Sequence, residues 1–262
     1  MDKLYRRRQL LAAGATAGAV AAAGCLGTRE GAVPAPTVTD DRIDDEWRVV
    51  DESNDQVFEE SYGPITVQAL SRSTVYEYVS VAESIAETLD AEGSPVMFFT
   101  TRIDLRPAID SLPFGVGRDR IMTEVETAAE EAFRAELENS GIENVDTADT
   151  RTIEVDTGHE ATLFEFSGTY PVAGELSFGG LSQSFDDEIE IAAHVGVWHD
   201  GTDVLLAGGA YPTDPLVEPF EETIEDAPVE VGDVLDSDTE EALSTDPETF
   251  EEDIDALLRS VE

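Results

Sequence analysis

The 262-residue chain contains one cysteine, Cys25, and one lysine, Lys3. A single cysteine excludes an intramolecular disulfide, even in a compartment where one could form. If Cys25 is consumed by modification, no thiol remains for nucleophilic chemistry. The three histidines, His159, His194 and His199, match no standard metal pattern. His194 and His199 fall on one expected strand at odd spacing, which puts them on opposite faces. Gly-x-Ser-x-Gly and the phosphate-binding Gly-x-x-x-x-Gly-Lys loop are both missing. Gly115-Val116-Gly117 alone does not complete a dinucleotide fingerprint. The residues therefore name no catalytic group, no metal and no cofactor. Basic residues are also scarce, 15 against 59 acidic ones for a net charge of −44. A surface of that sign repels phosphates, so nucleic acid is not an expected partner.

The acidity is the dominant feature of what is present. In dilute buffer a surplus of this size opposes compaction by self-repulsion. At molar salt the screening length shrinks to about 3 Å and the repulsion nearly vanishes. The composition resembles that of proteins from halophilic archaea and predicts a domain that needs concentrated salt. Apolar residues make up 41% of the chain, enough for a core. The length after the N-terminal region fits one domain, residues 45–262.

Arg6, Arg7 and Arg8 form a positive head before a weakly apolar run from Leu10 to Ala23. That run is shorter than the roughly 20 residues needed to cross a bilayer, and it has the layout of a removable export signal, residues 1–24. Arg7-Arg8-Gln9-Leu10-Leu11 resembles the twin-arginine export motif. Ala22-Ala23-Gly24-Cys25 resembles a lipobox, although bacterial lipoboxes usually carry leucine where Ala22 stands. The resemblance implies cleavage before Cys25 and a lipid on it, hence a membrane partner and an extracellular location. Residues 25–44, with Gly27, Gly31, Pro34 and Pro36, read as a tether.

Along the domain, Asp45–Tyr62 suggests short strands separated by a turn at Ser53-Asn54-Asp55, and Ile65–Ala69 a further strand. Thr74 with Glu77 forms a capping-box pattern that predicts a helix through Leu89. Pro95–Leu105 reads as a strand with Met97, Phe99, Ile103 and Leu105 on one side. Asp119–Asn139 reads as a helix with an apolar stripe through Val125, Ala128, Ala129, Ala132, Phe133 and Leu137. Strands follow over Thr150–Asp156, Glu160–Val172, Ile189–Val197 and Val204–Tyr211, with Asp200-Gly201 as the clearest hairpin turn. The last of these is apolar on both faces, as a central strand would be. Asp214–Asp226 and a segment opened by Pro247 carry apolar residues at helical spacing. The order predicts an α+β fold, a mainly antiparallel sheet with helices packed on it.

Ala161–Pro171, then Asp200-Gly201, then Val204–Pro212 resemble a haloarchaeal family of uncharacterised twin-arginine-exported lipoproteins. The similarity covers most of the chain and implies no activity. More distantly, the order of elements is similar to the PsbP/Mog1-type α/β/α sandwich, a likeness of fold that transfers no function.

Arg102, Arg106, Arg118 and Arg120 cluster around the middle loop and the start of the second long helix. Helix N-termini attract anions, so an anion or an acidic partner is one expectation for this cluster, and neutralisation of neighbouring carboxylates is the plainer one. Phe98, Trp198 and Tyr211 read as core aromatics sooner than as a pocket. The functional expectation is a lipid-anchored binding or assembly accessory at the cell surface, with an unidentified ligand or protein partner. The alternatives are a hydrolytic enzyme with a dispersed site and a solute-capturing protein for a transporter.

Overall fold

Strand β7 (Asp203–Pro212) is buried at every position, because a nearly continuous run of apolar and small residues can be covered from both sides. The computed structural model describes residues 32–62, 65–89, 94–107, 118–178, 181–224 and 231–262. The stretch with Arg7, Arg8 and Cys25 lies outside the described residues. Strand β7 is the middle member of a seven-stranded sheet of order β1-β2-β3-β7-β6-β5-β4. The other strands are β1 (Trp47–Tyr62), β2 (Ile65–Tyr78), β3 (Met97–Arg106), β4 (Glu143–Glu154), β5 (Glu160–Phe178) and β6 (Leu181–Asp200). Every neighbouring pair is antiparallel. The α+β class with an antiparallel sheet is therefore the architecture of this chain.

Several elements differ from their sequence reading. Strand β1 runs unbroken through Ser53-Asn54-Asp55, and pairs with β2 from Trp47 to Tyr62 with irregularities at Val49/Asp51 and Gln56/Phe58. Thr74–Tyr78, expected as the first turn of a helix, is strand. Thr74, Val75 and Tyr76 are β-formers by shape, and they are hydrogen-bonded between Glu52–Val49 on one side and Thr100–Phe98 on the other. Helix α2 begins only at Val79 and ends at Leu89, its first amide donating to the Glu46 carbonyl at 2.9 Å. Pairing on both edges thus outweighs the capping-box pattern. Strands β4, β5 and β6 are each longer than expected: the β5–β6 hairpin continues in register to Phe178 and Leu181, and β4 pairs with β5 from Glu143 onward.

Helix α3 (Arg118–Asn139) lies on one face of the sheet and α6 (Pro247–Arg259) on the other. Phe133 of α3 meets Phe99 of β3 and Phe166 of β5, with ring centroids 5.1 and 5.3 Å apart. Helix α6 starts where Asp246 accepts the Glu248 amide and Pro247 takes the first helical position. Its stripe Phe250, Ile254, Leu257 and Leu258 is buried, with Ile254 against Gly209 and Leu258 against Gly196. Helix α1 (Arg42–Asp45), α4 (Glu218–Ile224) and α5 (Ser237–Leu243) complete the helical part.

The expected tether is docked along its second half. Val33 is buried, and Thr37 exchanges both backbone hydrogen bonds with Glu262 at 2.9 and 2.8 Å. Val38 and Val261 form an antiparallel bridge. The chain therefore enters the domain beside its own C-terminus.

Candidate functional site

The clearest concavity lies between α3 and the β1–β2–β3 part of the sheet, a cavity of about 270 Å³. Its floor follows from register. Asp51, Val75, Phe99 and Gly208 form one row across β1, β2, β3 and β7. Ser53, Ser73, Thr101 and Leu206 form the next, and Asp55, Ser71, Ile103 and Val204 the third. All three rows face α3, since side chains two apart on a strand share a face. The wall is the α3 stripe at Val125, Ala128, Ala129, Ala132, Phe133 and Glu136.

Space remains because both surfaces are cut back. Three alanines on the helix face serines on the strands, where larger side chains would interdigitate and close the gap. Phe99 and Phe133 bridge helix and floor, with ring centroids 5.1 Å apart. The hydroxyls are largely self-satisfied: Ser73 Oγ and Thr101 Oγ1 are 2.8 Å apart, and Ser71 donates to the Asp55 carbonyl at 3.4 Å. An apolar guest therefore need not strip a buried polar group of its partner. The charged side chains of the lining are Asp51 and Glu136, both carboxylates and both exposed.

The arginines singled out in the sequence are not at this cavity. Arg102 lies 3.3 Å from the Asp203 carboxylate and donates to the Glu262 carbonyl oxygen at 2.7 Å. Arg106 lies 2.9 Å from Asp104, whose side chain is nearly fully buried. Arg102 and Arg106 are thus engaged by the protein's own carboxyl groups, and a buried carboxylate left alone would be costly. Arg118 and Arg120 fall in the first turn of α3, and their side chains lie outside the described residues, as does the loop 108–117.

The histidines are separated. His159 sits 3.4 Å from Asp200. His194 points at α6, with Asp255 Oδ1 3.3 Å from its Nε2 but not in hydrogen-bonding geometry. Burial pulls its proton affinity below the ordinary value, with the Asp255 charge working in the opposite direction. A neutral imidazole only 6% exposed cannot reach a substrate without the helix moving. Trp198 and Tyr211 are core residues.

The cavity itself escapes sequence reading. The alanines of α3 are legible as part of a stripe, and Ser71 and Ser73 as strand residues. Only the pairing of three strands places Ser53, Ser73 and Thr101 in one row beneath that helix.

A family model described as a domain of unknown function (DUF6517) matches residues 35–262. No curated protein and no solved structure matches the chain.

Proposed function

We propose, for a chain that belongs to the DUF6517 family, a lipid-anchored binding module at the outer face of the cell membrane that holds a small apolar molecule between α3 and the sheet. The cavity of about 270 Å³ carries this reading. Ligand sites are concave, mostly apolar and fitted with a few polar groups, and Val75, Phe99, Phe133 and Leu206 with the Ser73–Thr101 pair have that character. An engineered apolar cavity of about 150 Å³ takes benzene, so this one has room for a body of about two fused rings. Anchoring is argued from the export-like head with Arg7 and Arg8, the lipobox-like Ala22–Cys25, and the fact that Cys25 has no other cysteine to pair with. Among the described residues no helix is long and apolar enough to cross a membrane. The salt-adapted, haloarchaeal character rests on the acidic surplus, and kinship with the PsbP/Mog1-type sandwich on the helices at both faces of the sheet.

Two measurements test the proposal. Full-length protein in molar potassium chloride is titrated with naphthylmethanol, followed by its fluorescence. Saturable binding is expected, abolished by Ala132→Trp, which fills the cavity from the helix side. Absence of saturation, or binding untouched by Ala132→Trp, refutes the site. Cys25→Ala should leave the membrane fraction, and its retention there would remove the anchor.

A further inference from the structure

We infer that the ligand of this cavity is an organic cation, an apolar body carrying a protonated amine or quaternary ammonium set between Asp51 and Glu136; this rests on the cavity being a binding site. Carboxylates are abundant everywhere on this chain, so their number argues nothing. Their placement does. Asp51 projects from β1 in the row that contains Phe99, and Glu136 stands on α3 one turn beyond Phe133. Those two rings contact each other with centroids 5.1 Å apart. The two carboxylates therefore line the cavity from opposing elements, one on the sheet and one on the helix.

Both acids are also without an arginine among the described residues. Their neighbours are not: Glu52 is paired with Arg72 and Glu130 with Arg134, and neither arginine lines the cavity. An anionic guest would meet two like charges with no cation among the described lining residues to offset them. A neutral guest would gain from burial alone. A cationic guest gains attraction to both carboxylates in addition to burial against the apolar lining. Asp51 and Glu136 are exposed, and a contact ion pair at about 3 Å is comparable to the screening length at molar salt, so the attraction is weakened there but not abolished.

The test uses three probes with one body: naphthylmethylammonium, naphthylmethanol and naphthoate. They are titrated against full-length protein in molar potassium chloride. The ammonium is expected to bind at least about tenfold tighter than the alcohol, a difference of about 1.4 kcal/mol, and the naphthoate weakest. Asp51→Asn combined with Glu136→Gln should erase that preference, bringing the ammonium-to-alcohol affinity ratio to about one, and each single variant should remove part of it. Equal affinity for ammonium and alcohol overturns the cation assignment and leaves the binding site standing. Failure of all three probes overturns the binding site itself. Ammonium binding that persists in Ala132→Trp places the cation on the general acidic surface and overturns the assignment as well.

Discussion

Asp253 on α6 is a carboxyl group placed where a charge is costly. It is buried, and loss of water pushes its pKa up from 3.8 to about 6, with the Glu46 carboxylate adding to the rise and Arg42 opposing it. Arg42 stands 3.5 Å away but is nearly half exposed, and such pairs contribute little. The folded state therefore holds the Asp253 proton more tightly than the unfolded chain does. Stability from this group is fully present below pH 3.8, falls as pH rises to about 6, and is absent above that. Asp253→Asn should consequently be more stable than the parent at pH 7, by about 1–2 kcal/mol after allowing for solvent at the Arg42 side. The gain should fade as pH is lowered towards about 4, where the parent carboxyl is itself protonated. Melting curves of both proteins across that range check it, and their difference cancels the opposite contribution of His194, which favours the folded state as pH rises. A gain that does not depend on pH would show that charge is not the cause.

At the scale of elements, β7 fixes how closely everything else can approach. A methyl group at Gly208 would overlap the His194 carbonyl oxygen and lie 2.8 Å from the Val195 Cα on β6. One at Gly209 would overlap the Met97 carbonyl on β3 and lie 3.0 Å from Ile254 on α6. Backbone cannot yield as a flexible side chain can, so Gly208→Ala should cost about 2–3 kcal/mol. That corresponds to a melting temperature lower by roughly 5–10 °C for a domain of this size; an unchanged melt would show that the strands separate without penalty. The Val204–Pro212 run is legible as a central strand because it is apolar on both faces. Helix α3 and helix α6 are legible from their stripes and, for α6, from Pro247. Thr74–Glu77 misleads because a capping pattern is local, whereas the pairing that keeps Thr74 in β2 comes from Glu52 and Thr100. Helix α5 carries a local signal at its start, where Asp236 accepts the amides of Asp238 and Thr239 as its N-cap.

Over the whole molecule, repulsion among the carboxylates works against the fold. From Cys25 onward there are 11 arginines and 58 acidic residues, a net charge of −47. Described arginines such as Arg48, which reaches both Glu77 and Glu83, offset only a few of these. We expect the domain to lose its circular dichroism signature as salt is diluted from molar to about 50 mM, where the screening length exceeds 10 Å; an intact spectrum there would show that packing alone sustains the fold. The acidic surplus behind this expectation was determined by the sequence, since charge count does not depend on arrangement. So were the antiparallel α+β class and the two helical stripes, which follow from periodicities that neighbouring residues set by themselves. The cavity, the pairing of Arg102 with Asp203 and the docking of Val33–Thr39 beside Glu262 were decided only by the tertiary structure. Each joins groups far apart in the chain, and no local pattern encodes which strand will lie beside which.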